Sequence, residues 1–122
     1  MRKLSTIQKR NNLNSVFYEK QKGPGGAYLE YVVKRADAAE EDEALLHVVF
    51  QTGPREAEGS VDGVLDGDLL EMVRDRLTAF QDGPYACTDN EYALEHIEAA
   101  LLYLAKRADE RAERGVLGTD KQ

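Results

Sequence analysis

Apolar and polar residues keep one rhythm in the first half of the chain and another in the second. Up to Gln51 the apolar residues come in short runs, bounded by glycine, proline and acidic clusters. GGAYLEYVVKR (Gly25 to Arg35) is rich in β-branched and aromatic residues, with Tyr31 and Val33 on one face and Glu30, Val32 and Lys34 on the other. ALLHVVFQ (Ala44 to Gln51) is almost continuously apolar and reads as a central strand, or one covered on both faces. SVFYEKQ (Ser15 to Gln21) makes another strand, ending at the GPGG turn. The acidic ADAAEEDE and the turn-rich TGPREAEG connect and close these runs. The pattern predicts an antiparallel sheet of roughly three strands.

From Asp68 onward the period becomes helical. Asp68 with Glu71, and Thr88 with Glu91, have capping-box spacing. Leu69, Leu70, Val73, Leu77 and Phe80 form one apolar face, and DGPYAC (Asp82 to Cys87) breaks the helix. Leu94, Ile97, Leu101, Leu104 and Ala108 then recur at steps of three and four, a coiled-coil-like seam. Arg114 and Gly115 supply a helix end with its C′ glycine. This second helix should run roughly 25 residues, or about 37 Å. It outlasts its neighbour, so part of its seam lacks an intrachain partner and self-association through the helices is expected. The expected fold class is α+β. One domain, 1–122, holds a small antiparallel sheet (about 15–55) packed with a two-helix hairpin (about 66–115).

Composition narrows the function classes. The chain has 122 residues, 42% of them hydrophobic and 32% charged, as in a folded globular domain. A net charge of −7 argues against DNA or RNA as partners, which need a broad basic face. MRKLSTIQKRNNLN is basic but lacks the apolar core of a signal peptide, and no run approaches the ~18 residues of a membrane span. With a single cysteine, Cys87, there is no internal disulfide, and a cytoplasmic location is expected.

Little in the sequence suggests catalysis. GPGGAY precedes a strand and lacks the lysine and hydroxyl of a phosphate loop, so it reads as a tight turn. VDGVLDGDLLE lacks the alternating carboxylates of a calcium loop and reads as the approach to a helix. His47 and His96 have no partner at zinc spacing, and Cys87 reads as a buried structural thiol. No Ser-His-Asp set stands out, and neither an enzyme, a metal nor a cofactor is expected.

The arginines of AKRADERAERG are the exception. Arg107, Arg111 and Arg114 follow one another at helical spacing, and no acid lies three or four residues from Arg111. Cations late in a helix complement its dipole. Alternatively, Arg107 and Arg111 form a clamp for phosphate oxygens, which guanidinium forks bind bidentately. Tyr103 and His96 continue that face, and Phe80 and Asn90 flank the interhelical break. Aromatic and basic groups together suit a nucleotide.

Taken in order, GPGGAYLEYVV, LLHVVFQTGPREAEGSVDGV, LLEMVRDRLTAFQDGPYACTDNEYALEHIEAAL and KRADERAERGVLGT resemble the phage anti-Thoeris signal-sponge family, Thoeris anti-defence protein 1. The hairpin is also similar to the anti-CBASS nucleotide sponges. The resemblance implies a protein, dimeric or hexameric, that binds cyclic ADP-ribose isomers, and in some members cyclic di- or trinucleotides, without cleaving them. It implies action in the host bacterial cytoplasm during infection. Its ligand-binding residues fall on Phe80, Asn90, Arg107 and Arg111, with Arg55 a secondary candidate beside Tyr103 and Arg114. A hairpin that inhibits a defence protein by direct contact is the alternative reading.

Overall fold

Four strands form one antiparallel sheet in the order β1-β2-β3-β4: β1 (Arg2–Lys3), β2 (Asn14–Tyr18), β3 (Glu30–Arg35) and β4 (Leu46–Val49). Two helices follow, α1 (Asp66–Gln81) and α2 (Thr88–Glu113), so the protein is α+β. The computed structural model describes residues 1–113. The chain divides into two compact units, Met1–Val64 and one beginning at Leu65.

In the first unit the register pairs Val16 with Val33, Tyr18 with Tyr31, Tyr31 with Val48 and Val33 with Leu46, so these six side chains share one face. Tyr28 stacks on Tyr18 at 4.2 Å, and Tyr31 meets Phe50 edge-on at 5.7 Å. Ser15, Lys34 and Val48 are buried. The Lys34 ammonium donates to the Glu40 carbonyl (2.9 Å), tying down the acidic connector.

Three strand expectations change. β3 begins at Glu30 rather than Gly25, because Gly23 to Ala27 forms the turn: the Gly23 N–H donates to the Ala27 carbonyl (2.9 Å), and Gly26 has φ +88°. β4 lies at the sheet edge, not its centre, and Leu45 and Leu46 are exposed. An apolar run records that a strand is hydrophobic, not how many neighbours it has. β1 was missed because two cationic residues carry no periodicity.

After β4 the chain makes a loop held by bridges between Thr52 and Val61 and between Phe50 and Val64. Gly63 sits where a Cβ would stand 2.6 Å from both Gln51 N and Val49 O. These are backbone atoms that cannot swing aside. Gly63→Ala should therefore lower stability by about 1–3 kcal/mol, the usual range for overpacking, read from the denaturant midpoint.

In the second unit α1 starts two residues before the expected cap. Leu65 is its N-cap and has no side-chain acceptor, while the Asp68 carboxylate accepts the Leu65 N–H (2.8 Å). Asp68 thus fills the N3 half of a capping box. At α2, Cys87 precedes the first helical residue, and its exposed sulfur accepts the Asn90 N–H (3.4 Å). The expectation of a buried thiol is therefore corrected: Cys87 works at a solvent-facing helix start. The expected C′ glycine, Gly115, lies outside the described residues, as does Arg114.

The helices run antiparallel, because α1 starts beside Leu101 and the arginine further along it reaches back toward the α2 start. A Cβ on Gly67 would stand 3.9 Å from Leu101 Cδ2, and Arg74 Nε meets Glu98 Oε2 at 2.9 Å. The Glu98 carboxylate raises the Arg74 guanidinium above its ordinary range, chiefly through that hydrogen bond. With 16 residues against 26, α1 is roughly 15 Å the shorter. The last turns of α2, from Leu104 on, overhang the start of α1. No residue of either helix is buried. Among the described residues no helix is long and apolar enough to cross a membrane.

Candidate functional site

Phe80 and Asn90 come together around the interhelical turn. Gln81 fixes this turn by a reciprocal pair: its amide donates to the Cys87 carbonyl and its Oε1 accepts the Cys87 N–H, both at 3.1 Å. The turn projects Tyr85, 74% exposed. The Tyr85 ring meets Phe80 edge-on at 6.3 Å, and its carbonyl accepts the Asn90 side-chain amide (3.3 Å). The Arg76 guanidinium lies over the other part of this cluster, 5.3 Å from the Phe80 ring centre. The result is an aromatic wall with an adjacent amide and a cation, all on one end of the hairpin. Such a wall can stack a heteroaromatic ring and hydrogen-bond its edge.

Sequence reasoning missed Tyr85 and Arg76. Tyr85 was read only as part of a helix break, although an aromatic next to Pro84 in a polar turn has little reason to be there unless it packs or binds. Arg76 follows Arg74 on an amphipathic helix, and nothing in its spacing marks it out.

Arg107 and Arg111 lie on the α2 overhang. Arg107 is exposed, and among the described residues it has no ion-pair partner; the neighbouring Lys106 pairs with Glu110 at 3.9 Å. Arg111 is different. It is half-buried and engaged in an interaction of its own, so the bare cation implied by sequence spacing is corrected. Tyr103 is 72% exposed, one turn before Arg107.

Arg55 belongs to the sheet unit. Its guanidinium donates to Gln51 Oε1 (3.1 and 3.0 Å) and to the Gly63 carbonyl (3.0 Å), with Asp62 3.7 Å away. Arg55 closes its own loop. His47 Nε2 lies 2.7 Å from Glu30 Oε2 on the sheet surface.

Distance decides how these groups can act together. Arg107 follows Asn90 by seventeen residues of continuous α2, which is roughly 25 Å along the axis. No nucleotide-sized ligand bridges Asn90 and Arg107 of one chain.

The family model for the Acb2/Tad1 hairpin domain matches residues 42–109, more than half of the chain. The chain belongs to the Acb2/Tad1 hairpin family. It is also 42% identical over 78 residues to Thoeris anti-defense 1 of Bacillus phage SBSphiJ7. That stretch is 64% of this chain and 54% of the phage protein, so the chain spans about half the length of the curated relative it matches. The Acb2/Tad1 match takes in Arg55, Phe80, Tyr85, Asn90, Tyr103 and Arg107, and stops before Arg111.

Proposed function

We propose that this protein is a phage anti-defence protein that binds cyclic nucleotide immune signals, cyclic ADP-ribose isomers first among them, and holds them uncleaved. In this reading it acts in the host bacterial cytoplasm and blocks Thoeris-type immunity. The observation that carries the proposal is the 42% identity to Thoeris anti-defense 1. The hairpin chemistry supports it. Phe80 and Tyr85 would wall the adenine, Asn90 would bond base or ribose, and Arg107 with Arg111 would grip the pyrophosphate through charge-assisted bonds. Because Asn90 and Arg107 stand roughly 25 Å apart along one helix, the ligand would bind between helices of neighbouring copies in a homo-oligomer. Tyr103, beside Arg107, would close the pocket, and Arg55 would serve a second ligand on the sheet unit. Cyclic di- and trinucleotides carry the same phosphate and base chemistry and are candidate ligands.

A panel of cyclic ADP-ribose isomers and cyclic oligonucleotides, read by thermal shift, tests this reading. A ligand at about 100 times its Kd should add ~2.7 kcal/mol of stability. Heating the loaded protein and chromatographing the supernatant should return the intact nucleotide. Linear product accumulating with time would mean hydrolysis. No shift with any nucleotide would favour direct inhibition of a defence protein through the exposed hairpin face.

A further inference from the structure

The first 28 residues take no part in the hairpin chemistry, and their charge is the reverse of the whole. Six of the 16 lysines and arginines but one of the 23 acids fall there, leaving ten cations and 22 acids for the rest. The net charge of −7 therefore hides a local basic surface. Arg2, Lys3, Lys9, Arg10, Lys20 and Lys22 are all exposed. Among the described residues none of the six pairs with an acid. They follow the β1 edge of the sheet: Lys20 and Lys22 beyond the end of β2, Arg2 and Lys3 on β1, Lys9 and Arg10 in the loop between the two strands.

That loop, residues 4–13, is pinned at both ends. The Leu4 N–H donates to the Val16 carbonyl (2.7 Å), and the Leu13 carbonyl accepts the Ala36 N–H (2.8 Å). Inside it the Lys9 ammonium donates to Ser5 Oγ (2.8 Å), and the Gln8 carbonyl accepts both the Thr6 hydroxyl (3.0 Å) and the Asn12 amide (2.8 Å). Asn11 turns the chain at φ +56°. Compact loops of this length ordinarily pack their own side chains together. Here the polar groups bond to one another and the aliphatic ones are left outside: Ile7 is 100% exposed, Leu13 85%, and Leu4 is exposed as well. A single exposed aliphatic side chain is ordinary. Three on one short, internally bonded loop, set among Lys3, Lys9 and Arg10, mark a surface built for contact.

We propose that the β1–β2 loop docks this protein on an anionic lipid bilayer. Ile7 and Leu13 enter the boundary between headgroups and acyl chains, and Lys3, Lys9 and Arg10 meet the lipid phosphates. Charge selects this orientation, because the acids of the remaining chain make other approaches repulsive. A nucleic acid would use the cations but not the aliphatic tip, since bases stack on aromatic rings. A bilayer uses both, with phosphate outermost and hydrocarbon beneath. Lys9 can keep Ser5 and take a phosphate, because an ammonium has three donors. The contact lies on the membrane surface and needs no spanning helix. It goes beyond nucleotide binding and involves none of the hairpin residues.

Co-sedimentation of the full chain with vesicles of phosphatidylglycerol and phosphatidylcholine in equal parts tests the docking. The protein should pellet with these vesicles and not with phosphatidylcholine alone. Added salt should release it, because exposed charges are screened beyond about 10 Å at 0.1 M. Each cation at an anionic surface is worth about a factor of five, so Lys9→Glu should weaken binding at least that much. Lys106→Glu, the same charge change on α2, should leave binding nearly unchanged. Ile7→Asp should weaken it about tenfold or more through lost burial. Ile7 is fully exposed in the free protein, so that variant should keep its melting temperature. The chain has no tryptophan, which makes Ile7→Trp a single fluorescent reporter. Its emission should shift to the blue with the anionic vesicles, and should not shift in a Lys9→Glu, Arg10→Glu background. Emission that keeps its aqueous wavelength, or equal pelleting with neutral vesicles, would overturn the proposal. Pelleting that survives Ile7→Asp and is competed away by RNA would assign the cations to a polyanion instead. No pelleting with anionic vesicles would overturn lipid docking outright and leave an acidic protein surface as the partner.

Discussion

Replacing both Arg107 and Arg111 with alanine is expected to weaken nucleotide retention at least a hundredfold. Each charge-assisted contact to phosphate contributes about 1.5–3 kcal/mol, so losing two removes at least ~3 kcal/mol, and every 1.4 kcal/mol is a factor of ten. Isothermal titration with the best ligand of the thermal-shift panel reads this directly. The single variants divide the effect. Arg107 is exposed and has no ion-pair partner among the described residues, so Arg107→Ala should leave the ligand-free melting temperature almost unchanged. Arg111→Ala also loses an interaction within the protein and should lower that temperature measurably. Normal binding by the double variant would reduce the arginines to partners of the helix dipole.

Leu101→Glu is expected to have the largest effect on the fold. Leu101 lies in the centre of the α2 seam, where its Cδ2 is 3.9 Å from the position of a Cβ on Gly67. Leu101 is half-buried, so its packing contributes part of the about 1.5–3 kcal/mol of a fully buried leucine, and a carboxylate in its place must also be desolvated or drive the helices apart. Neither helix holds a fully buried residue that could compensate. The variant should lose helical circular dichroism at 37 °C and elute as a monomer. Leu102→Glu, on a residue 71% exposed, is the control and should keep the hairpin. If Leu101→Glu keeps its helicity, the seam is not what joins α1 to α2.

How the site is divided between elements bears on specificity. The aromatic wall is held by local bonds: Gln81 to Cys87, Asn90 to Tyr85 and Arg76 over Phe80. This end is therefore preorganised, with little ordering left to do on binding. Arg107, on an exposed overhang, has more to lose. Under the proposed reading, base recognition should thus be rigid, and the arginines should be the part that adapts to phosphate geometry.

The sequence alone determined those features that rest on local interactions. A period of two with β-branched residues marks strands, and steps of three and four mark helices, because each pattern puts apolar groups on one face of its own backbone. Hence the α+β class, the helical hairpin with its break at Asp82 to Cys87, the Gly23–Ala27 turn and the uneven helix lengths were legible. Arg107 stood out by its place in a basic stripe, whereas Phe80 and Asn90 by themselves read as core and cap and became candidates through the family resemblance. The tertiary structure decided what depends on chain meeting chain. β4 became an edge strand, Cys87 a helix-capping thiol, Arg55 a loop clasp and Arg111 a partnered cation, and Tyr85 joined Phe80 and Asn90. None of these is encoded in spacing. An apolar run, a thiol or an arginine looks the same in sequence whichever partner it takes. The Cys87 sulfur takes the Asn90 N–H three residues on, Arg55 reaches the Gly63 carbonyl across its loop, and β4 ends the sheet order, because the backbone path of each turn and strand, not the residue type, decides which group comes within bonding distance.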